Sequence, residues 1–583
     1  MRSRRFSLVG LLGALAFYLL MFTPGAALAM ADREEVSKAI KGYLETAERP
    51  QSFWIGGEPV YAGKDLMEFY SRRGYEPIWV SENGPTEAAG VLVAALGKAE
   101  RHGLSSLDYH YACLSEWLKT KVSDRPASTR AMELAGLEIV LSDAFVNFGN
   151  HLTNGKVDPV TIYPQWLTEK KRPEVFEFLA GIQTGQDVRE TLEALAPISH
   201  GYLVAMAEAG RLREVIASGG WPIIRPGKTL RKGDWSPRVT PLRKRLFLDG
   251  CLPEAGMEND RVSLFDLDLE KAVAQFQSRR GLSPDGAVGR KTLAALNRSP
   301  EDLLETVLVN LERWRWLPRD LGRRHIMINS AAFALEAFQD NQKILEMAII
   351  VGEAYTQTPV FSQDMAYLVI NPYWNVPRGV LSRKILPKIK KDPGYLSKNH
   401  FELIKGWKEP AALVDPATVD WSTVHAANFP GRLRQRPGPW NALGRIKFIF
   451  PNRFSVYLHD TPERDLFQRT IRTFSSGCIR VEKPIDLACF VMENNPSWSR
   501  SRIDDILAGG KSTTVPVQDA VTVHLAYLTF WMGEEGKTHY RGDIYDRDRV
   551  LLKALRAVPG TRLARPPRTL PEVDPNVAVE PKG

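Results

Sequence analysis

Cysteine is scarce. Four occur in 583 residues, at 113, 251, 478 and 489, widely and irregularly spaced and without a CxxC pair. That excludes a disulfide framework as the basis of the fold and leaves a usual zinc set incomplete, because the ten scattered histidines put no second one near His459, Asp460 and Cys478. No metal is expected. A Walker loop and a dinucleotide fingerprint are also missing, so no nucleotide cofactor is indicated. Charge is not concentrated either: 77 Lys and Arg against 68 Asp and Glu leave a net +9 spread along the chain with no nucleic-acid motif beside it. Nucleic acid is therefore not an expected partner, and the basic balance suits anionic surfaces such as membranes or acidic wall polymers.

The length implies three or four domains, and 44% hydrophobic with 25% charged residues is ordinary for globular protein. At the N-terminus Arg2, Arg4 and Arg5 precede an apolar run from about Leu8 to Phe22 and then Ala27-Leu28-Ala29, the order of a secretory signal. Export follows. No charge occurs between Arg5 and Asp32, so residues 1–31 read as a signal peptide or a retained membrane anchor, and the sequence leaves both open. An exported chain meets an oxidising compartment, where a nucleophilic thiol must stay unpaired. Cys113, Cys251 and Cys489 read as small buried hydrophobes, with an exposed loop left open for Cys251, which stands before Leu252 and Pro253.

What the chain does have is RTFSSGCIRVEKP, which sets Cys478 nineteen residues after His459 of SVYLHDTP. A thiol with a pKa near ~8.5 is only a few per cent thiolate at neutral pH, so it needs an imidazole or a positive charge to become an efficient nucleophile. His459 can take the proton and Arg480 can supply positive potential. Gly477 permits a tight turn, with the amides of Ser476, Gly477 and Cys478 as donors to a developing oxyanion. GRIKFIF (444–450) and FSVYLHD (454–460) flank Pro451-Asn452-Arg453 and predict two strands around a turn. Alternation then puts Ser455, Tyr457 and His459 on one face. Pro484 starts an apolar helix that anchors the thiol loop. These residues point to acyl transfer.

HDTP, the run to SSGCIRV, and RPGPWNALGRIKF (436–448) together resemble the signature of the L,D-transpeptidase (YkuD-type) catalytic domain. The wider layout resembles that family's large, scaffold-bearing periplasmic branch, and FYSRRGYEPIW (69–79) resembles the opening motif of its scaffold domain. The resemblance implies that Cys478 is the nucleophile and His459 the base, that Ser476, Gly477, Arg480 and Tyr457 serve the oxyanion and substrate, and that carbapenems acylate Cys478. Many small members carry a histidine immediately before the glycine, where this chain has Ser476.

Domain expectations follow. Residues 32–225 read as a helical scaffold, from segments such as AMELAGLEIVLSDAFVNFGNHL (131–152) with apolar residues at three- and four-residue intervals. Residues 226–298 resemble a three-helix peptidoglycan-binding domain, with Leu269, Val273 and Phe276 on one side of a helix, a Pro284-Asp285-Gly286 turn, and Leu293 and Leu296 on the next. Residues 299–323 read as a linker helix stopped at Pro318. Residues 324–550 read as a β-rich catalytic domain, with an inserted helical lid at about 378–437 and two short strands around Glu534-Glu535-Gly536. Tyr373, Trp374 and Asn375 at the base of the lid are groove candidates, with simple packing as the alternative. Residues 551–583 read as a disordered tail. The fold class is multidomain α+β.

The chemistry implied is attack of the Cys478 thiolate on the third stem residue, meso-diaminopimelate, with release of D-alanine and a 3→3 cross-link when an amine resolves the thioester. Peptidoglycan stem peptides are the expected partners, with other wall-synthesis enzymes alongside. Two alternatives stay open: a hydrolase of the same linkage (L,D-carboxypeptidase or amidase), and a non-catalytic wall-binding scaffold.

Overall fold

The computed structural model describes residues 24–46, 53–119, 126–167, 175–256, 263–406, 412–533 and 536–559. The N-terminal segment before residue 24, the Glu534-Glu535 turn and the tail from residue 560 lie outside the described residues. No described helix is long and apolar enough to cross a membrane. The chain divides into two compact units: residues 1–156 with 171–197 and 556–562, and residues 157–170 with 198–555 and 563–583. The expected scaffold range 32–225 is therefore not one body. Residues 157–167 and helix His200–Ala217 belong to the second unit, where Trp166 bridges to Val360 and Trp316 Nε1 donates to the Val157 carbonyl at 2.9 Å.

The first unit is helical and built around Ala127–Asn154, buried almost continuously from Leu134 to Val146. Such a helix lies inside its domain. Its fully buried Glu138 accepts hydrogen bonds from Tyr70 Oη (2.5 Å) and from the amides of Ile78 (2.7 Å) and Trp79 (2.8 Å). A carboxylate withdrawn from water needs those donors. They give FYSRRGYEPIW its structural role.

In the second unit, Val239–Leu248, Leu267–Arg279 and Arg290–Leu296 form the expected three-helix module around Leu269, Val273, Phe276 and Leu296. Cys251 packs in this core as a small buried residue, with Arg279 Nη1 3.1 Å from its sulfur. All four cysteines are free. Helix Pro300–Trp316 is no linker either. It is buried on several faces, its Val309 and Trp316 join the core of the large sheet, Asn310 Oδ1 accepts from the Thr529 amide (3.0 Å), and Arg315 pairs with Glu312 (2.5 Å). Its arginines resemble a solvated face in sequence, but each is paired inside the unit, Arg313 with Asp548 at 2.6 Å.

The catalytic region is an eleven-stranded sheet. In spatial order its strands are Thr513–Pro516, Tyr367–Ile370, Ile446–Ile449, Leu458–His459, Ile479–Val481, Gln342–Gly352, Ala334–Gln339, Arg324–Asn329, Thr522–Ala526 and Phe361–Asp364; Thr473–Ser475 pairs beside Gln342–Gly352. Ile349, Ile350 and Val351 are wholly buried, as a central strand of a covered sheet requires. Phe530–Met532 pairs with Thr538–Tyr540 as the sequence suggests. Helix Arg547–Leu555, with Leu551 fully buried, occupies the first part of the expected tail because its apolar face completes the core.

The insertion is not simply helical. Short helices at Leu386–Lys391 and Tyr395–Lys398 precede strands Phe401–Lys405, Ala412–Val414 and Arg432–Gln435, which with Trp374–Asn375 make a separate four-stranded sheet. Its own core gathers Ile389, Leu403, Trp421 and Leu433. Short strands bearing Glu402, Lys405, Arg432 and Arg434 hide their alternation among charges.

Candidate active site

Register assembles the site. Lys447 on Ile446–Ile449 stands opposite His459, and His459 stands opposite Arg480 in the parallel pair with Ile479–Val481. Cross-strand partners share a face, so two cations flank the imidazole. The Ile479 amide bonds to the Tyr457 carbonyl at 3.1 Å, extending the pairing one step and setting Cys478 level with Tyr457. The Tyr457 ring lies 5.7 Å from that of His459, and the Cys478 sulfur lies 4.0 Å from the Ser455 carbonyl. Cys478 and Tyr457 are half-buried, whereas His459 is 5% exposed. The second predicted strand is only Leu458–His459, because Ser455 takes a left-handed φ of 52° and ends regular pairing before it. The rings of Tyr457 and His459 come together even so.

Electrostatics set the resting state. His459 Nδ1 lies 2.6 Å from the Asp460 carbonyl, which can only accept, so Nδ1 carries the proton and Nε2 keeps its lone pair. Burial, then Arg480 and Lys447, lower its pKa to about 3. The imidazole is neutral at physiological pH. Burial pushes the Cys478 thiol up, opposed by hydrogen bonds from Tyr457 and by the charges of Lys447 and Arg480. Arg480 thus helps the thiolate as expected, but burial outweighs it, and the same charge disfavours an imidazolium. Arg480 is also paired with Glu463.

Around the thiol, Gly477 holds φ at 117°, a conformation that requires glycine. Its amide donates to Ser475 Oγ (3.1 Å), which donates in turn to the Cys478 carbonyl (2.5 Å). The expected oxyanion donor at Gly477 is therefore already taken, because the turn uses it to brace itself. Ser476 is exposed. Thr358, wholly buried, accepts from the Gly352 amide (3.0 Å) and donates to the Gly477 carbonyl (3.0 Å). Tyr545 Oη donates to the Gly352 carbonyl (2.7 Å), and Arg547 Nη2 holds Gln357 Oε1 (2.9 Å). Since Gly477 C=O and Cys478 N–H belong to one trans peptide plane, Thr358 fixes the direction of the Cys478 amide.

The neighbouring motif is explained by Asp460 and Asn441. Asp460 Oδ2 accepts the Arg445 amide (2.8 Å), and a Cβ on Gly444 would lie 2.4 Å from that carboxylate, so only glycine admits the approach. Buried Asn441 donates to carbonyls of Pro372 (3.1 Å) and Arg436 (3.0 Å) and ties the lid's exit to its base. The groove candidates make contacts within the lid. Trp374 packs on the lid core, Asn375 Oδ1 accepts from Arg432 (3.2 Å), and the Tyr373 ring lies 4.2 Å from the Arg434 guanidinium. For Trp374 packing is the reading that holds. Lys447, Thr358 and Tyr545 escaped the sequence reading; Lys447 alone left a signal, as the one charge inside the apolar strand IKFIF. Among the described residues no cluster suits a metal ion.

Known proteins give this arrangement its context. Residues 323–517, which contain both His459 and Cys478, match the family model "L,D-transpeptidase catalytic domain"; residues 64–206 match "Scaffold domain" and 242–296 "Putative peptidoglycan binding domain". A Haemophilus influenzae protein named "Putative L,D-transpeptidase" is 34% identical over 301 residues, covering 50% of this chain and 59% of the relative. The chain thus spans well under two thirds of that relative's length. "N-acetylmuramoyl-L-alanine amidase CwlM" of Mycobacterium tuberculosis is 40% identical over 78 residues, 12% of this chain and 19% of that protein. Among solved structures, an L,D-transpeptidase from Xylanimonas cellulosilytica is 15% identical, with 52% of this chain and 98% of that one covered, at a TM-score of 0.16. The chain thus contains, in this order, regions that match a scaffold domain, a peptidoglycan-binding domain and the L,D-transpeptidase catalytic domain.

Proposed function

We propose that this protein is a peptidoglycan L,D-transpeptidase that forms 3→3 cross-links through a thioester on Cys478. The observation that carries the reading is a neutral His459 with Nε2 unprotonated, with a thiol two residues out of register from it, just before the adjoining strand. The Cys478 sulfur attacks the carbonyl of the third stem residue and its proton passes to His459 Nε2. The Cys478 amide, aimed by Thr358, and the Ser476 amide stabilise the oxyanion. The C–N bond to D-alanine breaks as His459 returns the proton to the leaving amine. An acceptor amine then attacks the thioester, gives its proton to His459, and expels the thiolate, which His459 reprotonates. Tyr457 and Arg480 border the reacting carbonyl, and carbapenems enter by the same acylation.

Wall polymer as substrate places the protein outside the cytoplasm, in the periplasm, with residues 1–31 as signal or anchor. Scaffold, wall-binding module and catalytic domain follow in that order over 32–225, 226–298 and 324–550, except that residues 157–167 and 198–225 pack in the second unit and helix Arg547–Leu555 completes the catalytic core, with the lid over the thiol. Mass spectrometry of muropeptides after incubation with the protein tests the reading. Disaccharide-tetrapeptide should yield 3→3 dimers and free D-alanine; tripeptide alone would make the enzyme a carboxypeptidase, and an unchanged substrate would leave a binding scaffold.

A further inference from the structure

The second unit holds a groove of about 1,690 Å³ that contains neither Cys478 nor His459. One wall is helix Leu267–Arg279 of the three-helix module, through Gln275 and Ser278; another is the hairpin of Phe530–Met532 and Thr538–Tyr540, through Trp531 and Lys537. Strands of the large sheet line it through Met327 and Glu336.

Among the described residues its charges do not cancel. Glu336 and Glu346 are engaged by Lys343 (3.3 and 2.5 Å), Glu482 accepts the Ala348 amide (3.1 Å), and Asp320 accepts the Gly322 amide (2.8 Å). Among the described residues Arg319, Lys483, Lys537 and Arg541 have no carboxylate partner, Lys483 donating instead to the Glu346 carbonyl. Arg319 is exposed and Lys537 half-exposed, and Arg541 uses Nη1 on the carbonyls of Arg279 (2.9 Å) and Tyr540 (3.0 Å) while its guanidinium lies 4.8 Å from the Trp531 ring. Burial and the facing charges of Arg472 and Arg280 bring Arg541 down to about 10, which still leaves it charged. Cations between low-dielectric walls concentrate carboxylates.

The groove also leads somewhere. Glu482 and Lys483 line both it and a second cavity of about 410 Å³, whose other walls include Asp460, Thr461 and Pro462, the residues directly after His459. A polymer that leaves the groove past Glu482 and Lys483 meets the segment directly after His459.

We propose that this groove binds peptidoglycan strands through the free carboxylates of their stem peptides and guides the acceptor strand toward His459. The inference rests on the transpeptidase reading for its direction, and on charge and shape alone for its binding. It assigns the polymer contact to the space between module and sheet, with stem-peptide carboxylates rather than sugar rings as the recognised groups.

The test uses the full-length Cys478→Ala protein, so that binding is measured without turnover, and two probes: uncross-linked glycan strands bearing tetrapeptides, and the same strands stripped of peptide. Lys537→Glu with Arg541→Glu should weaken binding to peptide-bearing strands at least tenfold at low salt and flatten its salt dependence, because contacts to accessible charges are screened. Arg319→Glu with Lys537→Glu breaks no bond in the fold and decides the matter should the first pair unfold the protein. Parental affinity in that second variant overturns the proposal, as does equal binding of stripped and peptide-bearing strands by the parent. If cross-linking assays refute the thioester, this binding result still stands or falls by itself.

Discussion

Two buried histidines, one in each unit, are held in opposite ways. His110 lies between Glu58 (2.8 Å) and Asp143 (2.9 Å), and although burial opposes the charge, the two carboxylates raise its pKa above the ordinary 6.5. His459 lies between Arg480 and Lys447, and burial and these cations act together to bring it to about 3. Burial is common to both. The difference comes from the sign of the neighbours, and it separates a histidine that ties a helical unit together from one held neutral with Nε2 unprotonated.

The largest test of that difference removes the base. His459→Ala should slow acylation of Cys478 by about 10²- to 10⁴-fold and leave the fold intact, with partial recovery at higher pH as thiolate forms unaided; an unchanged acylation rate in stopped-flow assays would assign the base elsewhere. His110→Ala should do the reverse. It strands the buried Asp143 carboxylate, so the first unit should lose about 3–5 kcal/mol in denaturant unfolding, while Cys478 of the folded fraction acylates at the parental rate.

A smaller effect is expected at Thr358. Thr358→Val keeps the shape but frees the Gly477 carbonyl, so kcat should fall about tenfold, the scale of one hydrogen bond, with KM unchanged and activity restored by Thr358→Ser. A matching rise in KM would make Thr358 a substrate-site residue instead.

The smallest effect concerns pH. Burial raises Glu138 from 4.5 to about 7 against its hydrogen bonds, and His110 is raised as well, so the folded first unit binds more protons than the unfolded chain. Its stability should be greatest at low pH, fall between pH 4.5 and about 7 as Glu138 ionises, and fall further above 6.5 as His110 loses its charge. Hydrogen exchange of Ala127–Asn154 at pH 5, 6.5 and 8 reads this directly, and Glu138→Gln should flatten the lower part of the slope. Greater protection at pH 8 than at pH 5 would reverse the sign.

The same contrast shows what the sequence made legible. Cys478, His459 and Tyr457 are close in the chain, and strand alternation with a glycine turn placed them together. Lys447 needed the register of Ile446–Ile449 against a strand of only two residues, which the left-handed Ser455 shortens. Thr358 and Tyr545 act from distant segments through backbone carbonyls, so no local pattern marks them. The Gly477 amide looked open for an oxyanion until the Ser475 hydroxyl was placed on it. The helical module and the apolar strands followed from periodicity, whereas the lid's sheet escaped because its strands are short and charged. Helix Pro300–Trp316 looked like a surface connector because its arginines find buried partners only in three dimensions.

The central claim is a covalent intermediate on Cys478 supported by a neutral His459. It is tested most directly by incubating the full-length protein with disaccharide-tetrapeptide, quenching in acid, and mapping the adduct by mass spectrometry. A disaccharide-tripeptide acyl group should appear on the peptide containing Cys478, absent from Cys478→Ala and slow to form in His459→Ala. An adduct on Cys113, Cys251 or Cys489, or 3→3 dimers made by Cys478→Ala, would contradict it.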